Sequence, residues 1–564
     1  MATIFRVALE TPLRQLFDYL PGESAHAPEP PEIGARVRVP FGRQRRIGVV
    51  MAIAGASELP AARLKPILAV LDREPLLDAA GLRLLRWAAD YYHHPVGEVL
   101  ASALPKALRV GAPAHASEER WTLTEAGTAA IAAGEPRRAP RQRELLALIG
   151  APGGITADAL DARTARWRSA ARALCAAGLV ARSDVALAVP PGEAALRAQG
   201  PELLAEQRAA VDTIGAAFGA YGAFVLHGIT GSGKTEVYLR LIERALAAGG
   251  SALVLVPEIG LTPQLLARFH ARFAAPIAVL HSALTDHERL LAWRSAAAGA
   301  ARVVIGTRSA VFVPVPGLAL IVVDEEHDGS FKQHEGGFRY SARDLAVVRA
   351  QQSGVPVVLG SATPALETLH NVDAGRYTRL RLERRAAQAQ PPLLRLIDLR
   401  ATAVRSGLST VAVLAIERHL AEGGQVLVFL NRRGYAPTLL CTACGWIAPC
   451  RECDARLTVH LGAGRLRCHH CGADAPLPER CPQCGFTVKP VGQGTERVAE
   501  TIAALFPHAA AARLDRDTVR RRGDLEEVMR RMSSGEVRIL IGTQMVTKGH
   551  DFPDVTLVVV LNAD

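Results

Sequence analysis

Three groups of residues in the sequence have the types and spacing that phosphate or metal chemistry requires. The first is GITGSGKT, residues 228–235, which matches the phosphate-loop pattern G-x-x-x-x-G-K-[ST] between a predicted strand and a predicted helix. Its glycines let backbone N–H groups approach phosphates, while Lys234 is placed for the β- and γ-phosphate oxygens and Thr235 for magnesium. The pattern predicts an ATP site formed by Gly228, Ile229, Thr230, Gly231, Ser232, Gly233, Lys234 and Thr235.

The second group is the carboxylate pair at the end of the apolar run LALIVVDEEHD. Asp324 is placed to hold magnesium, and Glu325 to orient or deprotonate an attacking water during phosphoryl transfer. The alternative is that two acids at a strand end serve only solvation. Lys234, Asp324 and Glu325 are therefore the predicted catalytic residues, with ATP and Mg²⁺ as the expected cofactors.

The third group contains eight of the nine cysteines, which form four C-x-x-C pairs between residues 441 and 484. Two such pairs complete a tetrahedral S4 site, so four pairs predict two structural zinc ions, with iron–sulfur ligation as the chemical alternative. His460, His469 and His470 are predicted to be surface residues rather than ligands. The predicted ligands are Cys441, Cys444, Cys450, Cys453, Cys468, Cys471, Cys481 and Cys484.

Composition sets limits on the remaining possibilities. The length of 564 residues predicts a multidomain protein, and the net charge of +11 favours a polyanionic partner only weakly. The sequence has no signal-peptide pattern and no apolar stretch of the roughly 18 residues that a membrane span needs, so neither membrane insertion nor a membrane partner is expected. Clustered C-x-x-C pairs are typical of a reducing compartment, which predicts a cytoplasmic protein. The remaining cysteine, Cys175, is predicted to be a small core residue.

The N-terminal third is predicted to contain two domains. Residues 1–105 are expected to be β-rich, with a hairpin that carries five arginines between Arg36 and Arg46. These arginines fit nucleic-acid contact, and they equally fit a hairpin kept soluble at a sheet edge. Residues 106–197 show a helix, turn, helix, helix and strand pattern that predicts a winged helix and a linker, with DNA contact or protein docking both open.

From about residue 198 onward, short apolar runs alternate with helical stretches. This alternation predicts an α/β fold with parallel sheets, and the runs are numerous enough for two lobes. The expected boundaries are 198–385 for the first lobe and 386–564 for the second. The cysteine cluster, at 438–487, interrupts the second lobe as a double zinc-binding insert.

The motifs that follow the phosphate loop resemble those of the superfamily 2 helicases and translocases. The matching segments, in order, are PEIGLTPQ, GTRSA, GSAT, FLNRRGY and GTQMVTKGHDF. In that family some of these motifs contact the DNA backbone and others couple two RecA-like lobes to ATP. The resemblance implies DNA contact by Arg308 in GTRSA. It also implies that Gln207 contacts adenine, for which the alternative is an ordinary polar surface residue.

Aromatic and basic residues alternate in SFKQHEGGFRYSARDLA, just after the acidic pair. This pattern favours stacking of Phe338 and Tyr340 on the bases of single-stranded DNA, with Arg339 on a phosphate. The alternative is an aromatic cluster that pins the loop. The full set of rings and cations is Phe331, Lys332, Phe338, Arg339, Tyr340 and Arg343.

The zinc insert and four further segments resemble the primosomal protein N′ family, the PriA replication-restart helicases. Those segments are FDYL, RVRVPFGRQRRIGVV, WAADYYHHPVGEVL and DEEHDGSFKQHEGGFRYSARDLA. The resemblance implies recognition of stalled forks, ATP-driven 3′-to-5′ unwinding, and primosome assembly. The implied partners are forked and single-stranded DNA, primosome proteins and single-strand-binding protein.

The same resemblance implies more specific residue roles. It places the outer two C-x-x-C pairs around one zinc and the inner two pairs around the other. It also places Phe17, Asp18 and Lys65 in a pocket for a DNA 3′ end.

One departure from the family pattern lies after VTLVVVLNAD, where the family continues with a segment carrying Q-V-A-G-R-A-G-R. Without those arginines, this chain is expected to hydrolyse ATP weakly and to expose apolar surface along TLVVVL. The first hypothesis is therefore a replication-restart helicase, and the alternative is a fork-binding and primosome-assembly scaffold that binds ATP with little unwinding. A double-strand translocase fits the ATP motifs but not the zinc insert.

Overall fold

The computed structural model divides into two compact units, which are described separately. The first comprises Met1–Glu258 and Phe269–Ala389, and the second comprises Ile259–Arg268 and Gln390–Asp564. The structure describes the chain except for residues 1–2, 23–29, 73, 115–116, 136–138, 152, 165–166, 187–196, 259–261, 335, 386–391, 400–403, 406, 431–437, 442, 461–463, 492–494, 516–517, 519–523, 544–551, 553 and 562–564.

The first unit begins with a six-stranded sheet of short strands. The strands are β1 Ile4–Leu9, β2 Phe17–Leu20, β3 Arg36–Phe41, β4 Gln44–Ala54, β5 Lys65–Pro66 and β6 Ala69–Val70. Their order is β5-β2-β1-β4-β3-β6, and β2 and β5 are parallel while the other pairs are antiparallel. Apolar side chains such as Phe5, Val37 and Val50 are fully buried on the sheet. Burial of these apolar side chains is the main force that holds the short strands together.

Three helices follow this sheet: α1 Ala79–Tyr91, α2 Val96–Ala103 and α3 Lys106–Arg109. The prediction of a β-rich region therefore holds only as far as Val70. The sequence prediction missed the helical pattern of α1, although Leu82, Leu85 and Ala89 are buried there at helical spacing. The start of α1 is capped by Asp78, whose carboxylate accepts a hydrogen bond from the Gly81 backbone N–H at 2.7 Å.

The next region combines helices with a small antiparallel sheet. Its elements are β7 Ser117–Leu123, α4 Glu125–Ala132, α5 Pro140–Ile149, β8 Ile155–Thr156, α6 Ala157–Arg163, α7 Trp167–Ala176 and β9 Val180–Ala186. The strand order is β8-β7-β9. Strand β7 and helix α4 were not anticipated. The prediction that Cys175 is a core residue is wrong, because Ala171 and Leu174 occupy the buried face of α7 and leave Cys175 exposed.

The rest of the first unit is a seven-stranded sheet flanked by helices. The elements are α8 Ala205–Gly215, β10 Gly222–Gly228, α9 Lys234–Ala247, β11 Ser251–Leu255, α10 Pro263–Arg272 (of which Phe269–Arg272 belongs to this unit), β12 Ile277–Leu280, α11 Asp286–Ala297, β13 Val303–Gly306, β14 Leu318–Asp324, α12 Ala342–Ser353, β15 Pro356–Ser361, α13 Leu366–Asp373 and β16 Thr378–Leu382. The strand order is β12-β13-β11-β14-β15-β10-β16, with every pair parallel. The carboxyl ends of all the strands therefore lie along one edge of the sheet.

The second unit contains a four-stranded parallel sheet and a cysteine-rich insert. Its elements are β17 Val404–Arg405, β18 Leu408–Ser409, α14 Thr410–Ala421, β19 Gln425–Leu430, β20 Thr438–Cys441, β21 Thr458–His460, β22 Arg465–Arg467, β23 Asp474–Pro476, β24 Val488–Val491, α15 Thr495–Leu505, β25 Ala511–Leu514, α16 Asp524–Ser533, β26 Ile539–Gly542 and β27 Val555–Leu561. The order of the strands in the parallel sheet is β25-β26-β19-β27. On β27, Val558 and Val560 are 53% and 51% exposed, so one face of this strand presents apolar surface.

The α/β architecture with parallel sheets is thus confirmed. Parts of three predicted motifs lie outside the described residues, namely 259–261, 431–435 and 544–551. In the part of the chain that the structure describes, no helix is both long and apolar enough to span a lipid bilayer.

Candidate ATP, DNA and zinc sites

The phosphate loop connects β10 to α9, as the motif requires. Gly231 and Gly233 have φ angles of 80° and 81°, a left-handed conformation that glycine adopts without strain. Helix α9 begins at Lys234, so its free backbone N–H groups and positive dipole end face the loop. The Lys234 ammonium donates to the Gly228 carbonyl at 2.9 Å.

Two observations make this loop suitable for a phosphate ligand. Ile229, Thr230 and Gly231 are exposed, so the loop is open to solvent. Below them, the Ser232 hydroxyl is buried and has no hydrogen-bond partner among the described residues. An unsatisfied buried hydroxyl is costly unless a ligand or water occupies the site.

Gln207 lies against the phosphate loop rather than on the surface. It is 3% exposed, its amide NH₂ donates to the Ser232 carbonyl at 2.8 Å, and its amide oxygen accepts from the Leu204 backbone N–H at 2.9 Å. The alternative of an ordinary surface glutamine is therefore wrong. The adenine contact stays a prediction.

The acidic strand end is linked directly to the phosphate-loop helix. The Tyr238 hydroxyl, on α9, donates to an Asp324 carboxylate oxygen at 2.9 Å. Burial of Asp324 and the neighbouring charge of Glu325 raise the pKa of Asp324 to about 6, while the Tyr238 hydrogen bond and Lys234 oppose that shift. Because the pKa of Asp324 is raised, a bound cation would favour its ionised form, so this carboxylate is well suited to hold magnesium.

Gly360, on β15, makes the Tyr238 contact possible. A Cβ atom at this position would overlap the Tyr238 hydroxyl, so a larger residue would displace it from Asp324. Glu325 itself has a φ of 48°, an unfavourable conformation for a residue with a side chain. The backbone therefore turns sharply at the predicted catalytic residue.

Two residues of DEEH, for which the sequence predicted no role, connect the acidic pair to the next motif. Glu326 is 1% exposed and accepts hydrogen bonds from the Ala365 backbone N–H at 2.7 Å and from the Thr368 hydroxyl at 2.8 Å. His327 Nδ1 lies 2.8 Å from the Ser361 hydroxyl of GSAT. Glu326 and His327 directly follow the acidic pair in the sequence, and this position was the signal that could have identified them as site residues.

The prediction that Phe338 and Tyr340 stack on DNA bases is wrong for this conformation. Phe338 and Tyr340 are 4% and 7% exposed, and their rings stack on one another with centroids 4.8 Å apart. Phe331 is also buried. The alternative, an aromatic cluster that pins the loop, describes the observed packing, and Arg339 remains exposed on the same loop.

The Arg308 side chain holds this loop through hydrogen bonds to the backbone of the loop. Its guanidinium donates to the carbonyls of Ser330 at 3.1 Å and Lys332 at 3.2 Å. Beside it lies a cleft of about 380 Å³ whose lining includes Arg289 and Ser309. Arg308 thus lines an open polar cleft, and its DNA contact stays a prediction.

The predicted 3′-end residues lie together at one side of the N-terminal sheet. Phe17 and Asp18 are on β2, and Lys65 is on β5, which pairs with β2. The Phe17 ring packs edge-on against Phe41 with centroids 5.1 Å apart, and Asp18 lies 3.6 Å from Arg6.

The basic hairpin is not a uniform DNA-binding face. Arg36 is completely buried and forms two hydrogen bonds from its side chain to Asp72, at 2.9 and 2.7 Å. A third goes to the Leu108 carbonyl at 2.6 Å. The inclusion of Arg36 in a fork-binding face is therefore wrong, whereas Arg43 and Arg45 are exposed.

Replacing Arg36 by methionine is expected to lower the free energy of opening of strands β3 and β4 by about 3–5 kcal/mol, because Asp72 would stay buried without a partner. Hydrogen exchange of the strand amides in the whole protein measures this. Arg45→Met on the same hairpin is the control and should change the value by less than about 0.5 kcal/mol. Equal effects of the two substitutions would contradict a stabilising role for the buried pair.

The eight clustered cysteines form two groups of four, in the pairing that the resemblance implied. Within each group all Sγ atoms lie within 4.8 Å of one another, and the closest pairs are 3.4 to 3.6 Å apart. Those separations fit tetrahedral ligation, since two sulfurs at about 2.3 Å from zinc are close to 3.8 Å apart. The groups are Cys441, Cys444, Cys481 and Cys484, and Cys450, Cys453, Cys468 and Cys471.

Local backbone structure shapes these cysteine pairs. In three of the four pairs the second cysteine is followed by a glycine with positive φ, namely Gly445, Gly472 and Gly485. Each of these glycines donates its N–H to the carbonyl of the first cysteine of its pair, at 2.9 to 3.0 Å. His460, His469 and His470 belong to neither cysteine group, and His460 and His469 instead contact each other at 3.0 Å.

Comparison with protein-family models matches three segments of the chain. Residues 6–105 match the PriA 3′ DNA-binding domain, residues 205–372 match the DEAD/DEAH box helicase domain, and residues 450–476 match the Cys-rich region of the PriA DNA helicase. The chain is 43% identical to the replication restart protein PriA of Haemophilus influenzae, over 100% of this chain and 77% of that protein. The chain belongs to the PriA replication-restart family.

A second PriA relative, from Bacillus subtilis, is 35% identical over 94% of this chain and 75% of its own length. Membership in the PriA family makes this chain an ATP-dependent DNA helicase of replication restart, with DNA as a partner. The family resemblance noted in the sequence is thereby confirmed. The cysteine groups fit the zinc binding expected of the PriA Cys-rich region.

Among solved structures, this PriA chain is similar to the DUF1998 helicase MrfA bound to DNA. The identity is 13% and the TM-score 0.40, over 64% of this chain and 44% of that one. It is also similar to RecG bound to a three-way DNA junction, with 16% identity and a TM-score of 0.35, over 64% of this chain and 38% of RecG.

Proposed function

We propose that this chain couples ATP hydrolysis in residues 198–385 to 3′-to-5′ unwinding of DNA at stalled replication forks. The observation that carries the proposal is the assembly of the phosphate loop, Asp324 and Ser361 at one edge of a parallel sheet, with Tyr238 bonded to Asp324 at 2.9 Å. Residues 386–564 form the second lobe.

In the proposed reaction, Lys234 neutralises the β- and γ-phosphate oxygens, and the backbone N–H groups of the phosphate loop surround them. Thr235 and Asp324 would hold magnesium, which neutralises charge on the transferred phosphoryl group when bound. Glu325 orients the attacking water and accepts its proton. Gln207, fixed against Ser232, contacts the adenine.

DNA is held by two regions of the first unit. In residues 1–105, Phe17, Asp18 and Lys65 receive the 3′ end of a nascent strand, and residues 106–197 act as a winged-helix module. In the first lobe, Arg308 and Arg339 contact the DNA backbone, because both are basic and lie at or beside an open cleft.

The cysteine insert, residues 438–487, would hold two zinc ions. With four thiolates at each site, no coordination position is left for a reactive water, so the zinc ions are structural. Between 441 and 484 the insert carries five arginines and four acidic residues, too small an excess of positive charge for a duplex-gripping surface. We propose that it is the platform for primosome proteins and single-strand-binding protein, in the cytoplasm.

Unwinding assays with labelled partial duplexes test the polarity. A duplex with a 3′ single-stranded tail should be unwound in an ATP-dependent manner, whereas one with a 5′ tail should stay paired. Glu325→Gln is the matched control, since it keeps the size of the side chain but removes the proton acceptor. Equal unwinding of both tails, or unwinding by the control, would contradict the proposal.

A further inference from the structure

A tyrosine of the N-terminal region is hydrogen-bonded to the helicase lobe. Tyr92 follows α1, and its hydroxyl oxygen accepts a hydrogen bond from the Ser341 backbone N–H at 3.1 Å. Its ring packs edge-on against Phe338 with centroids 5.8 Å apart, and His94 lies against the same ring at 5.3 Å. The turn after α1 therefore rests directly on the start of α12.

Ser341 is the N-cap residue of α12, the helix that carries Arg343. Its hydroxyl accepts from the Asp344 backbone N–H at 3.3 Å, which caps α12. Two residues further on, the Arg343 guanidinium donates to the Glu326 carboxylate at 3.3 Å. The side chains of Arg343 and Glu326 are 11% and 0% exposed, so water screens this charge pair little.

Glu326 is covalently adjacent to Glu325, the predicted water-orienting residue. Its other acceptor contacts, to Ala365 and Thr368, fix it at the end of β14. Because Glu325 already has a φ of 48°, a small displacement of Glu326 would change the direction in which the Glu325 side chain points. A misplacement on the scale of an ångström is enough to lower a reaction rate considerably.

We propose that Tyr92 is a positioning residue through which the N-terminal domain sets the geometry of Glu325. The connection runs from Tyr92 to Ser341, along the first turn of α12 to Arg343, and from Arg343 to Glu326. When DNA engages the N-terminal domain, the turn after α1 moves α12 and adjusts the acidic strand end. This inference rests on the proposed function, because it assumes that fork DNA stimulates ATP hydrolysis.

The adjacent residue, Tyr91, provides a contrast within the same turn. It is 62% exposed, and its ring stacks on Trp87 with centroids 4.6 Å apart. Tyr91 and Tyr92 differ in exposure and in packing, because the Tyr92 ring lies against Phe338, and also in the hydrogen bond that Tyr92 accepts from Ser341. Phenylalanine at either position keeps the ring and removes only the hydroxyl.

The test compares Tyr92→Phe with Tyr91→Phe in the whole protein. Tyr92→Phe should lower kcat for fork-stimulated ATP hydrolysis by about three- to tenfold, the effect expected for one lost hydrogen bond. The KM for ATP, the fork Kd and the rate without DNA should change by less than about twofold. Tyr91→Phe should leave all four quantities unchanged.

A double-mutant cycle with Arg343→Lys tests the connection itself, since spatial continuity alone does not demonstrate coupling. If the connection is correct, Tyr92→Phe has little further effect once Arg343 is replaced. The same reduction in both backgrounds would overturn the inference, and so would an unchanged kcat in Tyr92→Phe. If fork DNA fails to stimulate the wild-type protein, the proposed function fails, and the inference falls with it.

Discussion

Replacing Lys234 by alanine should lower the rate of ATP hydrolysis by at least about 100-fold, while fork DNA still binds. The ammonium group is the only side-chain charge in the phosphate loop, and it stabilises negative charge that develops during phosphoryl transfer. Its contact with the Gly228 carbonyl at 2.9 Å shows that it already lies over the loop. Steady-state phosphate release with saturating fork DNA measures the loss.

Lys106→Ala is a suitable control for this substitution. Lys106 is 67% exposed and lies 3.6 Å from Asp286, in an ion pair that contributes little to stability. Its removal should leave hydrolysis within about twofold of the wild-type rate. If Lys234→Ala retains more than about a tenth of that rate, the ATP site has been assigned to the wrong loop.

Serine at a single clustered cysteine should remove one zinc ion and unfold the insert around it. Cys441→Ser should abolish the outer site and Cys450→Ser the inner site, each reducing the zinc content from two ions per chain to one. The effect on folding is expected to be large, because structural zinc binding in small domains is worth about 10–16 kcal/mol.

Elemental analysis of the purified variants gives the zinc content, and limited proteolysis reports unfolding of the insert. Cys175→Ser is the matched control, since Cys175 is exposed and lies outside both groups. It should keep two zinc ions and the wild-type digestion pattern. Loss of both ions from either single variant would show that the two sites do not fold independently.

Local sequence patterns were sufficient to place the phosphate loop between a strand and a helix and to identify the parallel strands. The phosphate loop needs glycines and a lysine within eight consecutive residues. Each buried strand can be identified from a short run of apolar residues. The cysteine spacing predicted two S4 sites, but only the family resemblance predicted which pairs combine. That choice depends on how β20 and β24 bring the outer pairs together, over more than 40 residues of sequence.

Contacts between distant residues account for the predictions that failed. Phe338 and Tyr340 alternate with cations as DNA-stacking residues do, yet Tyr92, far earlier in the sequence, packs against Phe338, and Phe312 packs against Tyr340. Arg36 belongs to a basic hairpin, but Asp72 makes its burial possible. Neither partner could be identified from a local pattern, because nothing near Phe338 or Arg36 indicates which distant residue will pack there.

Gly360 has a consequence for how the ATP site can change in evolution. The absence of a side chain at Gly360 leaves the space that the Tyr238 hydroxyl occupies beside Asp324. A substitution at either position alone should be harmful, whereas paired changes could be tolerated. Alanine at 360 together with phenylalanine at 238 would remove the severest overlap, that with the hydroxyl, and leave only a contact of 2.8 Å between the new Cβ and the ring carbon Cζ, so these two positions should covary.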